Sequence, residues 1–138
     1  MSEEMQNHYH FICYIRFPSP FPQSMGRKLE SLGFVGFQPK RKNSPYTFCK
    51  SSDDYLDLLI EENFEDFLLM VKDDLLDEVE AIKEVRGEIS ICMGLHEYSN
   101  LISVALHFSP KAIAMLSALH ADLDIDRYLY VEGEEEEE

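Results

Sequence analysis

The chain has 138 residues, and its charge is unevenly spread: residues 1–50 hold seven Lys/Arg and three Asp/Glu, residues 51–138 hold five and 24, and the net charge is −15. Such a chain repels nucleic acid and anionic membrane and attracts basic partners. With 45% apolar residues, nine Phe and seven Tyr, it can build one core, so a single domain over residues 1–131 is expected, with a disordered acidic tail over 132–138. Cys13, Cys49 and Cys92 are widely spaced and lack a CxxC, which reads as buried reduced thiols. The polar Met1–Asn7 stretch is not a signal peptide, and no apolar run nears the ~18 residues of a membrane span, so the chain reads as cytoplasmic.

In chain order, His8 to Phe17 suits a strand, with Tyr9, Phe11, Cys13, Ile15 and Phe17 on one face. Pro18, Pro20 and Pro22 stop it. Ser24 to Leu32 reads as a short helix with Gly33 as its C-cap. Phe34–Phe37 and Tyr46–Lys50 read as short strands around a loop carrying Lys40, Arg41 and Lys42. From Asp53 to Arg86 the apolar residues Phe64, Phe67, Leu68, Val71, Leu75, Val79 and Ile82 keep helical spacing. Asp53 and Asp54 are expected to cap that helix, Asn63 to mark a break, and Gly87 to end it. Glu88–Leu95 and Leu101–Phe108 read as a hairpin with a loop of about five residues. Ser109-Pro110 is a strong helix start, the helix filling Ala112–His120. Leu123–Val131 is a final strand with Leu123, Ile125, Leu129 and Val131 on one face. The expected fold is α+β, a mostly antiparallel sheet with helices on one face.

Chemistry is harder to find. No GxSxG and no glycine-rich phosphate loop is present, so no catalytic residue or cofactor is assigned and the chain is not expected to be an enzyme. Asp122, Asp124 and Asp126 share a strand face, where clustered carboxylates attract Mg²⁺ or Ca²⁺. Arg127 and Gly133 stand where a calcium loop needs Gly and Glu, and Arg127 is a nearby counter-charge, so no metal is assigned. His8 and His10 also share a face, but zinc needs a third ligand that the sequence does not place. His96-Glu97 lacks the second histidine of a metalloprotease helix, Asn100 standing in its place.

Between Asp53 and Glu80 there are 12 acids and one base, Lys72. Like-charged neighbours such as Glu61/Glu65, Glu62/Asp66 and Asp73/Asp77 each cost a few tenths of a kcal/mol. Their retention points either to steering of a basic partner or to plain solubility. On the steering reading the expected partner-binding residues are Asp54, Asp57, Glu61, Glu62, Glu65 and Asp66, then Asp73, Asp74 and Asp77, with Tyr55. Asp124, Asp126 and Tyr128 join them from the last strand. Tyr46, Tyr98 and Tyr130 are further anchors, since Tyr is enriched at interface hot spots.

The segment LHFSPKAIAMLSALHADLDIDRYLY (Leu106–Tyr130), with Asp124, Asp126 and Tyr128 at signature positions, resembles the closing motif of bacterial domain-of-unknown-function family 4279. SLGFVGFQP (Ser31–Pro39) is similar to that family's early helix-to-loop turn. The resemblance implies a small stand-alone cytosolic protein and, as for some members, an immunity role beside a toxin gene. It carries over no catalytic residue. The expectation is an immunity protein, a monomer or weak dimer, that blocks a basic, nuclease-like toxin and contacts neither nucleic acid nor membrane. The alternative is a small-ligand or metal-responsive binding module using the Asp face of the last strand.

Overall fold

Alternation along the first strand sets the middle of the molecule. In β1 (His8–Phe17), Tyr9, Phe11, Cys13, Ile15 and Phe17 are all buried, while the residues between them are half-buried on the opposite face. The computed structural model describes residues 6–37, 41, 45–98 and 106–130. Within them the elements run β1, α1 (Gln23–Ser31), β2 (Val35–Phe37), β3 (Tyr46–Ser51), α2 (Ile60–Leu75), α3 (Val79–Glu84), β4 (Glu88–Tyr98), α4 (Pro110–Leu119) and β5 (Ala121–Tyr130). The sheet order is β2-β3-β1-β4-β5. All pairings are antiparallel except β4 with β5. The fold is α+β, as the periodicities predict.

One core cluster joins the inward residues of β1 and β4 to Leu29 of α1, Phe64, Leu68 and Val71 of α2, Ile82 of α3, and Met115 and Leu119 of α4. All four helices therefore cover one face of the sheet. Phe11 is the aromatic hub, 5.2 Å from Phe64 and 5.6 Å from Phe67 by ring centroids. Lys50 fastens β3 to the helices, donating to Asp74 at 2.6 Å and to the Leu32 carbonyl at 2.8 Å.

Several expectations are corrected. The helical pattern begins at Ile60, not Asp53. Neither Asp53 nor Asp54 caps it, and Leu59 at the cap position makes no side-chain hydrogen bond. The competing interaction is strand-like: the Tyr9 and Tyr55 backbones exchange hydrogen bonds at 3.1 and 2.8 Å and prolong the pairing beyond β3. The interruption falls between Leu75 and Val79 rather than at Asn63, whose side chain donates to the Tyr9 hydroxyl and Asp57. The expected hairpin does not form along β4, because β1 takes one of its edges and β5 the other. Leu106–Phe108 is not strand, and residues 101–105 lie outside the described residues. So do Lys40, Lys42, Val131 and the tail over 132–138, while Arg41 is exposed. A parallel partner needs a long crossover, which α4 supplies.

Ser109 caps α4 as expected: its hydroxyl accepts from the Ala112 N–H at 3.1 Å and donates to Glu65 at 2.6 Å. After α3 the left-handed position is taken by Arg86 (φ 63°), not by Gly87. Gly87 is needed for space, since a Cβ there would lie 2.6 Å from both Ile82 and Phe17.

Two stability outcomes follow from this packing. Phe11→Ala is expected to cost about 3–5 kcal/mol, measured by urea denaturation. Gly87→Ala is expected to cost about 1–3 kcal/mol through overpacking against Phe17.

Candidate functional site

The residues expected to bind a partner divide between two surfaces. The first is the loop from Ser52 to Leu59 with the start of α2. Asp57 organises it: the carboxylate accepts from the Tyr9 hydroxyl at 2.6 Å, the Leu59 N–H at 2.8 Å and Asn63 at 3.1 Å. Those donors, Tyr9 foremost, hold its pKa below the usual carboxylate range, while burial and Asp57 push the Tyr9 hydroxyl up. With its carboxylate clamped, the loop displays Leu56, Leu58 and Leu59, which are 63%, 82% and 52% exposed. Asp53, Asp54 and Glu62 are exposed around them, and Glu61 is half-buried.

Other expected residues hold the fold together. Glu65 receives Ser109, Glu61 faces His107 at 3.1 Å, and Asp74 pairs with Lys50. These partners relieve part of the like-charge repulsion along α2. Tyr55 is half-buried against Tyr9 at 5.3 Å, and Tyr46 packs against Phe21 with tilted rings at 4.5 Å, so both are packing residues. Asp66 and Asp73 remain exposed on α2, and Asp77 is exposed in the turn that follows it.

The second surface is the sheet face that no described helix covers. Asp122, Asp124, Asp126, Tyr128 and Tyr130 point there from β5, in register with Ser90, Cys92, Gly94, His96 and Tyr98 of β4. Asp124, Asp126 and Tyr128 are therefore separated by the whole sheet from the acids of α2, and one flat interface cannot hold both groups. Arg127 is not their counter-charge: alternation turns it to the other face, where it meets buried Glu97 at 3.6 Å.

Cys13 is buried in the core, but Cys49 and Cys92 are only half-buried, on this uncovered face. Burial raises the pKa of the Cys49 thiol. Burial and the Asp126 carboxylate, 3.4 Å away, push the Cys92 thiol up to about 11, so neither is an activated nucleophile.

An aromatic cluster occupies one end of the same face. His8 stacks on His96 at 4.3 Å, His10 sits 5.4 Å from His96, and Tyr128 stacks on His96 at 4.8 Å. Tyr130 reaches His96 Nδ1 with its hydroxyl at 2.8 Å and stacks on Tyr98. Burial first, then His8 and His10, lowers the His96 pKa from its ordinary 6.5. The sequence shows His8 and His10 on one face, whereas His96, expected in a turn, joins them only through the β1–β4 register.

A cleft of about 590 Å³ is lined by Arg16, Phe17, Pro18, Ser19, Pro45, Arg86 and Glu88. As the side chains stand, no three His, Cys, Asp or Glu among the described residues enclose an ion, the Asp122/Asp124/Asp126 set included. No helix among the described residues is long and apolar enough to cross a membrane. Comparison with known proteins finds no matching family model, curated protein or solved structure.

The lowered His96 pKa fixes a sign. The folded state resists protonation, so the unfolded chain binds more protons below pH 6.5. His96's contribution is complete above pH 6.5 and is lost as pH falls toward the lowered folded-state value. Denaturant midpoints measured from pH 7 to pH 5 in a chelating buffer should fall, and His96→Gln should flatten that limb.

Proposed function

We propose that the chain is an immunity-type protein of the cytoplasm that binds a basic, nuclease-like toxin domain and neutralises it by covering its active or substrate-binding surface. The observation that carries this reading is the exposed Leu56–Leu59 loop beside acidic residues. Stable interfaces combine an apolar centre with a polar rim, and large exposed apolar patches mark interaction sites. Here the apolar side chains stand beside Asp53, Asp54, Glu61 and Glu62, which complement a nucleic-acid-binding surface. The Asp57 clamp orders the loop in advance, which lowers the entropy lost on binding. The outer acids Asp66, Asp73 and Asp77 add long-range attraction, and the −15 net charge extends it. On this reading the chain has no catalytic residue and requires no cofactor.

The test is co-expression with the reading frame next to this one in the source genome. The neighbour alone should kill cells and this chain should rescue them. Leu58→Asp and Glu62→Lys should abolish rescue while leaving circular dichroism unchanged. The association rate should fall by at least about tenfold from low to roughly 0.5 M salt. A harmless neighbour, or rescue indifferent to both substitutions, sinks the reading.

A further inference from the structure

Two arginines line one cleft at the opposite end of β1 from Tyr9 and the leucine loop. Arg16 stands at the close of β1, Arg86 lies just before β4, and the β1–β4 register sets Arg16 opposite Glu88. All three line the cleft of about 590 Å³, together with Ser19 and the exposed prolines Pro18 and Pro45. That volume falls within the range of small-molecule sites, about 300–1,000 Å³.

Neither guanidinium is engaged by a protein oxygen. Register puts Glu88 beside Arg16, yet among the described residues neither arginine has an ion pair or a side-chain hydrogen bond. Arg16 lies instead over the Tyr14 ring, 5.0 Å from its centroid, a contact that positions the guanidinium without supplying an acceptor for its N–H groups. Arg86 is held differently. It takes the left-handed backbone (φ 63°) that follows α3, a position that favours glycine and strains any side chain. The Arg86 N–H donates to the Lys83 carbonyl at 2.9 Å and the Gly87 N–H to the Ile82 carbonyl at 2.7 Å, a helix stop that glycine at position 86 would make at least as well. The turn does not call for arginine, and non-glycine residues held in this conformation cluster at ligand clamps.

We propose that this cleft binds a small organic anion, a carboxylate or a phosphate monoester, held by Arg16 and Arg86. The planar fork of a guanidinium matches both kinds of oxyanion with paired, charge-assisted hydrogen bonds. Ser19 adds a hydroxyl that can donate to the same group. Glu88 is the one carboxylate among the described residues that line the cleft. It accepts hydrogen bonds only, so a ligand with a hydroxyl or ammonium group beside its anionic end fits better than a bare anion. The site is independent of the leucine loop and of any toxin partner.

The test is NMR titration of the isotope-labelled full chain with phenyl phosphate, with benzoate and, as the neutral control, with benzyl alcohol. At least one of the two anions should shift the amides of Phe17, Ser19 and Gly87 saturably, and the tighter of them identifies the oxyanion. Arg16→Gln should weaken that binding by at least about tenfold. Arg86→Gly should weaken it as much without lowering the urea midpoint, because glycine relaxes the left-handed turn. Glu88→Gln should tighten it, since a like charge leaves the cleft, and Lys111→Gln, a charge change on α4, should leave it unaltered. Arg86→Gly stays informative if Arg16→Gln fails to fold. No saturable shift with either anion, an equal response to benzyl alcohol, or binding indifferent to Arg86→Gly overturns the proposal.

Discussion

The register between β1 and β4 is the constraint on which the rest depends. It places Phe11 opposite Met93 and Cys13 opposite Ile91 on the helix side. It also places His8 opposite His96 on the other side. Side chains alternate with a period of two, so a slip of one residue would turn every one of them over. Phe11, Ile15 and Phe17 would face water, and the imidazoles would have to enter an apolar core. Hydrophobic burial thus fixes the register, and the histidine cluster is assembled as its by-product. No interaction within the cluster needs to be strong for it to form, because the energy that positions it is spent on the opposite face.

Much of the architecture was legible from periodicity. The inward set of β1, the apolar stripe of α2 and α3 and the Ser109-Pro110 start of α4 are local patterns that their elements obey, whereas β5 forms as a strand but leaves Ile125 and Leu129 of its apolar face exposed. What was not legible depended on distant partners. Asp53 and Asp54 have the chemistry of helix caps, but the segment holding them pairs with Tyr9, and no local signal announces that bridge. Likewise the apolar run after residue 100 suggested a hairpin, whereas the open edge of β4 goes to β5. Arg127 illustrates the same limit: it follows three aspartates in sequence, yet alternation sends it to Glu97. His96 is the clearest case for the candidate site, since its neighbours His8 and His10 lie nearly ninety residues away and only strand pairing brings them together.

Charge and shape act on different scales in this molecule. The uneven charge of the chain could be read from composition, and it gives every face some attraction for cations. The fold then distributes those carboxylates into distinct tasks. Asp57 and Asp74 hold backbone and lysine inside the domain, and Glu65 secures the start of α4. Asp66, Asp73 and Asp77 are left to the solvent. A count of acids therefore overstates the surface available to a partner, and the clamped leucine loop says more about where contact begins.

The two rims of the sheet also differ in a way that bears on solubility. Unpaired strand edges invite pairing with another chain, and proteins defend them by brevity or by charge. β2, at one rim, has only three residues. β5, at the other rim among the described residues, has ten and includes exposed Ile125 and Leu129, so brevity does not protect it. Its aspartates at 122, 124 and 126 lie two residues apart along the same strand. A second copy adding to β5 in parallel register would set each carboxylate against its twin, every few ångströms along the ribbon. The aspartate run thus sets charge along the long rim strand, where like carboxylates oppose pairing with a second β5.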